Sequence, residues 1–259
     1  MSLLNPKDKD LPIIEHLIEL RDRLVISIIS IVVAIFVCFF YVNEIWAFLV
    51  APLNDALANT KNGTLATTDV FEGMLTQLKV AVLAGVVLAS PMCFYQTWKY
   101  IFPALTITEA KIILPVSFAS TVLFLLGVAF GYYVIFDYVF PFALKLNGDD
   151  IQAVLSVNSY LITSTKLLLA FGISFQLPIV TFVLARLGFV DHKDLFSFFR
   201  YAIVLILIIS AILTPPDPLS QVLMAMPLIV LYVIGIAIAF VFSTKTRDVE
   251  ELPTETTPN

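Results

Sequence analysis

The stretch "EHLIELRDRLVISIISIVVAIFVCFFYV", residues 15–42, joins a densely charged segment to a long uncharged one. Its first ten residues carry five charged side chains and a histidine, and its last eighteen carry no charge. The hydrocarbon core of a bilayer is about 30 Å thick, and a helix needs about 20 apolar residues to cross it. The stretch therefore predicts a membrane-spanning helix that continues from a charged helical segment at the membrane surface.

The composition of the whole chain indicates the same class of protein. Hydrophobic residues make up 59% of the 259 residues, charged residues make up 14%, and the mean hydropathy is +0.96. We therefore predict an all-α polytopic membrane protein. Its uncharged runs predict six spans, near 24–43, 80–98, 112–136, 167–185, 201–216 and 218–243.

The six spans form one predicted domain, residues 1–243, and a polar, disordered cytoplasmic tail follows at 244–259. The amino terminus has no apolar signal-peptide region ahead of its charges, so we expect the first span to be retained. The apolar part of the fifth span, 201–213, would cover only roughly 20 Å at the rise of an α-helix. This span is therefore predicted to be short.

The basic residues predict the orientation of the chain. If the amino terminus is cytoplasmic, eleven of the fifteen Lys and Arg residues lie on the cytoplasmic side, and the external side holds Lys61, Lys79, Lys145 and Lys166. Cytoplasmic loops of membrane proteins are enriched in Lys and Arg. We therefore predict that both termini are cytoplasmic.

Several classes of function are disfavoured. A net charge of −5 without a basic stripe argues against nucleic acid as a partner. Cys38 and Cys93 lie in apolar runs without metal-ligand spacing, and we expect neither a metal nor any other cofactor. The predicted spans contain no Asp, Glu, Lys, Arg or His, which an intramembrane enzyme or an ion-coupled transporter would need. A secondary transporter of a small solute stays as the alternative function.

The charged segment allows two interpretations. Read as a helix, it places Glu15, Glu19 and Asp22 in a row, with Arg21 elsewhere on the surface. Such a row is commonly the solvated face of an interfacial helix, and the pattern alone favours that interpretation. The sharper hypothesis is an acidic ridge that receives a cationic ligand. Guanidinium is the best match, because its planar fork pairs with a carboxylate.

Five short segments carry a resemblance to a known family. They are "HLIELRDRL" (16–24), "APL" (51–53), "YQTWKYIFPAL…E" (95–109), "FGISFQLP" (171–178) and "LTPPDPLSQ" (213–221). Taken together and in this order, they resemble the TatC family, the polytopic subunit of the twin-arginine translocase. The resemblance implies six helices in a concave, glove-like arrangement, with both termini cytoplasmic and the last two spans short.

The resemblance also implies a function. It predicts the core receptor subunit that binds twin-arginine signal peptides at the cytoplasmic face and helps folded proteins cross the bacterial inner membrane. The implied partners are single-span subunits of the TatA and TatB type, the lipid bilayer and further copies of the chain within a receptor complex. The implied energy source is the proton-motive force, and no enzymatic activity is expected.

The resemblance assigns signal-peptide binding to particular positions. Glu19 and Glu109 match the two carboxylates that hold the arginine pair in the family. Arg21 matches the arginine of the same motif, and we expect it to order the site rather than to touch the cationic ligand. Tyr100 and Pro103 match an aromatic residue and a proline of the first cytoplasmic loop.

Further matches lie within and beyond the membrane. Thr214 and Gln221 match polar positions where single-span subunits dock, and Pro52 and Asp217 match positions in the external loops. The family usually has a carboxylate where this chain has Gln176. A protonated carboxyl group and an amide are similar in size, and both donate and accept hydrogen bonds. We therefore hypothesise that this position needs a neutral, hydrogen-bonding side chain that faces the concave surface.

Overall fold

The computed structural model of the chain describes residues 11–58, 64–67, 71–101, 110–146, 154–213 and 218–242. Within these ranges the chain forms nine α-helices, one π-helical segment and two short strands. The α-helices are α1 (Leu11–Phe40), α2 (Val42–Ala58), α3 (Glu72–Ile101), α4 (Ala110–Phe130), α5 (Phe136–Leu146), α6 (Val157–Ser174), α7 (Leu177–Arg186), α8 (His192–Leu213) and α9 (Pro218–Phe242). The π-helical segment, Gly131–Ile135, joins α4 to α5, and the strands are β1 (Thr64–Ala66) and β2 (Val154–Ser156).

Among the described residues, six helical stretches are long and apolar enough to cross a membrane, which confirms the predicted all-α architecture with six spans. They are Ile14–Phe40, Glu72–Ile101, Ile113–Phe142, Val157–Arg186, His192–Leu213 and Gln221–Phe242. The last two have 22 residues each, whereas the other four have 27 to 30. The last two spans are therefore the shortest, as predicted. The predicted tail, 244–259, lies outside the described residues.

The fourth span is longer than the sequence predicted, and it is interrupted. Its helix begins at Val157 rather than at 167, and Ser156 caps it by accepting a hydrogen bond from a backbone N–H of the first turn. Six of the first ten residues of this helix are polar, so hydropathy alone did not detect them. A turn at Phe175 and Gln176 separates α6 from α7. Pro178 lies in the first turn of α7, where its missing N–H costs no helical hydrogen bond.

The end of the bundle that holds α2, β1 and β2 is called the distal end, and the opposite end, where α1 begins, is the proximal end. The two strands pair in parallel, with Thr64 opposite Val154. Beside them Glu72 is buried, and its Oε1 atom accepts hydrogen bonds from Ser156 Oγ (3.0 Å) and from the backbone N–H of Asn158 (2.7 Å). These contacts place the starts of α3 and α6 at the same level.

The "APL" segment of the first predicted external loop lies inside α2, and Pro52 is half-buried there. A proline has no N–H, so the carbonyl of Phe48, one turn earlier, has no helical donor at that position. The hydroxyl of Tyr132 donates a hydrogen bond to this carbonyl (2.6 Å), and the hydroxyl of Tyr160 donates to the carbonyl of Leu49 (2.5 Å). The two tyrosines therefore fasten α2 to the third and fourth spans.

The first and second spans approach each other closely at Gly85 of α3. A Cβ atom built on Gly85 would lie 2.5 Å from Ile35 Cγ1 and 2.7 Å from Ile35 Cα. Small residues permit such close approach between membrane helices. The packing of α1 on α3 therefore depends on the missing side chain of Gly85, and this packing positions the candidate site.

We expect Gly85→Ala to destabilise the protein by about 1–3 kcal/mol, because the added methyl group must push α1 away from α3. Gly73→Ala is the matched control in the same helix, since no atom lies within 4 Å of a Cβ added there. The control is expected to be neutral or stabilising, because alanine favours a helix more than glycine does. Thermal unfolding in detergent measures both, and equal melting temperatures would contradict the close packing.

Candidate binding site at the junction of α1 and α3

The central contact of the candidate site is an ion pair between Glu19 and Arg23, one turn apart on α1. Glu19 Oε1 accepts a hydrogen bond from Arg23 Nε (2.9 Å) and a second one from Arg23 Nη2. The Nη1 group of the same guanidinium donates to Oε1 of Gln96 on α3 (3.3 Å). Arg23 therefore holds the Glu19 carboxylate and links the charged segment of α1 to α3.

A stacked ring pair lies closer to the proximal end of the same junction. The rings of His16 and Tyr100 have centroids 4.5 Å apart and are inclined by 11°. Tyr100 is one turn beyond Gln96 on α3, and His16 is about one turn before Glu19 on α1. We call the group His16, Glu19, Arg23, Gln96 and Tyr100 the α1/α3 junction. The structure thus brings together Glu19 and Tyr100, two of the residues that the sequence predicted for ligand binding.

The structure places Arg21 on the exposed surface of α1, and its predicted role stays a prediction. Its guanidinium pairs with Asp22, with distances of 2.9 Å and 2.7 Å to Oδ1. The two side chains are 68% and 58% exposed, so they belong to the solvated surface. Residue 21 lies roughly 200° around the helix from Glu19, whereas Arg23 lies on the same face as Glu19. In the described structure the arginine that contacts the Glu19 carboxylate is therefore Arg23.

The geometry leaves the Glu19 carboxylate available to a cationic ligand. Its side chain is 34% exposed, and Arg23, at 16%, is covered more deeply. In the described part of the chain, the hydrogen bonds to this carboxylate all end on Oε1, which leaves Oε2 for an incoming donor. Glu15 lies one turn away on the same face and is exposed, so it adds to the local negative potential. A guanidinium approaching this face therefore meets a partly occupied carboxylate.

Some predicted site residues lie outside the described residues. Glu109 and Pro103 fall within 102–109, and Thr214 and Asp217 fall within 214–217. Their predicted roles stay predictions.

Gln176 and Trp98 both donate hydrogen bonds to Ser120, and together the three residues link the second, third and fourth spans. Its Nε2 group donates a hydrogen bond to the backbone carbonyl of Ser120 on α4 (3.0 Å). The hydroxyl of Ser120, which is fully buried, accepts a hydrogen bond from Trp98 Nε1 on α3 (2.7 Å). Gln176 therefore holds the turn between α6 and α7 against α4 through a hydrogen bond to a backbone carbonyl inside that helix.

Gln221 is also engaged within the chain. Its Nε2 group donates to the backbone carbonyl of Leu207 (2.9 Å) and so links α9 to α8. The face of α8 that stays exposed is apolar, and it includes Leu205, Ile208 and Ile212. The surface that is available to a partner helix is therefore this apolar face rather than the amide nitrogen of Gln221.

A sequence model of the family TatC, Sec-independent protein translocase protein, matches residues 15–227. This chain belongs to the TatC family. The TatC protein of Helicobacter pylori strain J99 is 38% identical over 235 residues, which cover 91% of each chain. The TatC protein of Desulforapulum autotrophicum is 39% identical over 248 residues, which cover 96% of this chain and 91% of that protein.

Solved structures of TatC have the same fold. A crystal structure of the twin arginine translocase receptor TatC in DDM is similar with a TM-score of 0.79 and 36% identity, covering 86% of this chain and 99% of that chain. A second crystal structure of the receptor gives a TM-score of 0.75 over 86% and 97% of the two chains, again at 36% identity. The predicted family and the six-span TatC fold are confirmed. TatC is a component of a protein translocase, so this chain is a transport protein rather than an enzyme.

Sequence reasoning missed three residues of the α1/α3 junction. No role in the site was predicted from the sequence for Arg23, His16 or Gln96. The spacing of Glu19 and Arg23, four residues apart, is a sequence signal for their pairing. Nothing in the sequence indicated that Gln96 would receive the same guanidinium, because that contact depends on how α1 packs on α3.

We expect Gln176→Leu to lower the free energy of unfolding by about 1 kcal/mol, because it removes the donor to the Ser120 carbonyl. Gln176→Glu is expected to retain stability and transport, since burial favours the protonated carboxyl group, which also donates a hydrogen bond. Gln77→Leu is the matched control, because Gln77 is exposed on α3. Thermal unfolding and export of a folded reporter measure the effects, and full stability and transport of Gln176→Leu would exclude a role for this amide.

Proposed function

We propose that this chain is the core receptor subunit of a twin-arginine translocase and that the Glu19 carboxylate binds the arginine pair of a signal peptide. The observation that carries the proposal is the position of Glu19. Its side chain is 34% exposed, and in the described structure its carboxylate accepts hydrogen bonds from Arg23 at Oε1 only. A guanidinium ligand would pair with Oε2 in the planar geometry that carboxylates favour. Glu109 is proposed as the second carboxylate, and Pro103 as a further contact.

The stacked pair of His16 and Tyr100 supports the same assignment. An aromatic face beside a carboxylate attracts a guanidinium, because the ring quadrupole adds to the charge attraction. The ring of Tyr100 is half-buried against His16, and the junction places this pair about one turn from Glu19. We propose that Tyr100 flanks the bound peptide and that the arginine pair of the peptide competes with Arg23 for the Glu19 carboxylate.

The proposed location is the bacterial inner membrane, with the proximal end in the cytoplasm. Two observations support this orientation. Eleven of the fifteen Lys and Arg residues would then be cytoplasmic, and an even number of spans puts both termini on one side. The glove-like, concave form is proposed from the resemblance, and the proton-motive force is the proposed energy source.

The proposed partners are single-span subunits of the TatA and TatB type and further copies of this chain. The exposed apolar face of α8, with Leu205, Ile208 and Ile212, supports docking of a partner helix beside the short fifth span. A short span gains from packing next to another helix, because the bilayer otherwise has to thin around it. Thr214 and Gln221 are proposed as polar contacts of the partner helix because the family resemblance assigns them this role.

We expect Glu19→Ala to weaken the binding of a peptide with paired arginines at least tenfold, because a charge-assisted hydrogen bond contributes roughly 1.5–3 kcal/mol. Fluorescence anisotropy of a labelled signal peptide with the protein in lipid nanodiscs measures the affinity. The affinity of the wild type should also fall with added salt. Glu44→Ala is the control, since Glu44 is an exposed carboxylate at the start of α2. Equal affinities of Glu19→Ala and Glu44→Ala would refute the assignment.

Arg23→Gln tests whether the internal guanidinium competes with the ligand. Removing the positive charge leaves Glu19 uncompensated, so we expect severalfold tighter binding of the arginine pair and a steeper dependence on salt. Arg21→Gln is the matched control, because Arg21 pairs only with the exposed Asp22 in the described structure, and it should bind as the wild type does. Weaker binding by Arg23→Gln, with unchanged thermal stability, would show that Arg23 supports the ligand instead of competing with it.

A further inference from the structure

A second surface combines apolar lining with positive charge and lies away from the α1/α3 junction. It is a groove of about 360 Å³ between α3 and α6, near the distal end. Leu78 and Val82 of α3 and Ile162 of α6 line it, and all three are exposed to the surroundings of the bundle. Lys79 and Lys166 line the same groove. We call it the α3/α6 groove.

The two lysines stand at similar depths in the membrane. Glu72 contacts Asn158, so α3 and α6 begin at the same level. Lys79 is seven residues after Glu72, and Lys166 is nine residues after Val157, which correspond to roughly 10 Å and roughly 13 Å along the helices. Side chains on a helix lean toward its amino terminus, so both lysines lean toward the distal surface.

One of the two ammonium groups is already held at that surface. Lys79 Nζ donates a hydrogen bond to Asn158 Oδ1 at 2.5 Å, in the first turn of α6. An ammonium group has three N–H donors, and this contact uses one of them. Neither Lys79 nor Lys166 has a carboxylate partner within the described ranges. The ion pairs found there join Arg21 to Asp22, Arg23 to Glu19 and His192 to Asp191. The groove therefore presents two positive charges above an apolar wall.

We propose that the α3/α6 groove binds one anionic phospholipid, with its phosphate between Lys79 and Lys166 and an acyl chain along Val82 and Ile162. Charge complementarity selects the headgroup, since lysine ammonium groups at a bilayer surface attract anionic lipids. The apolar lining of the groove favours the acyl chain of the lipid. An acyl chain has no polar group that would lose its hydrogen-bond partners there. An apolar helix of another protein fits the groove less well, because it would cover both ammonium groups without giving them an acceptor.

The test compares lipid binding by native mass spectrometry, with purified protein offered equal amounts of phosphatidylglycerol and phosphatidylcholine. The wild type is expected to retain phosphatidylglycerol preferentially. Each of Lys79→Gln and Lys166→Gln should weaken this binding roughly 5-fold, and the double variant roughly 30-fold, because each lysine near an anionic headgroup contributes about 1 kcal/mol. Lys193→Gln is the matched control, since Lys193 is exposed at the start of α8 and does not line the groove. It should bind like the wild type.

Two further variants separate the contribution of the lipid headgroup to binding from that of the acyl chain. The double variant Lys79→Arg and Lys166→Arg keeps both charges and is expected to restore the preference for phosphatidylglycerol. Val82→Trp fills the groove and should weaken the binding of both lipids. Thermal unfolding in detergent shows that the variants are folded.

Four outcomes would overturn the proposal. They are an unchanged lipid preference in the double Gln variant, loss of the preference in the double Arg variant, displacement of the lipid by inorganic phosphate at millimolar concentration, and cysteine crosslinks from position 162 to a partner helix that excludes phosphatidylglycerol.

Discussion

The close contact between α1 and α3 at Gly85 is the constraint on which the candidate site depends. Along α1 the described side chains are mostly exposed or half-buried, and only Ala34 and Cys38 are buried. The helix therefore takes its position from the neighbour on which it rests. Because the backbones meet at Gly85, the next turns toward the proximal end bring Arg23 to Gln96. The missing methyl group of Gly85 thus helps to set where the Glu19 carboxylate stands, about four helical turns along α1 from the contact at Ile35.

The number of spans could be predicted from the sequence, because a helix crosses the bilayer when about 20 consecutive residues are apolar, and this is a local property of the sequence. The helix ends could not. The start of α6 at Val157 depends on contacts that Ser156 and Asn158 make with Glu72, a residue 84 positions away from Ser156. The turn at Gln176 depends on a partner on α4. Such long-range contacts stabilise polar helical turns that no hydropathy window identifies.

The candidate site also has a part that could be predicted from the sequence and a part that depends on how the helices pack. The row of acidic residues on α1 allowed a cation-binding ridge but by itself favoured a solvated face, and the family resemblance singled out Glu19. The resemblance gave positions but not the directions of side chains, so it did not indicate that Arg21 is exposed and pairs with Asp22. Arg23 and Gln96 make contacts that exist only after two helices have packed. The described structure therefore adds the partners of a carboxylate whose identity the sequence already indicated.

The ties between helices are unevenly distributed along the bundle. At the distal end a buried carboxylate, a strand pair and the buried hydroxyl of Tyr160 join α2, α3 and α6. At the proximal end α1 meets α3 through the buried Gln96 and through Glu19 and Arg23, whose side chains are 34% and 16% exposed. The polar ties at the distal end are therefore shielded from the surroundings, whereas the ion pair of Glu19 and Arg23 stays accessible to them. An incoming guanidinium can exchange with such an accessible pair without first uncovering a buried charge.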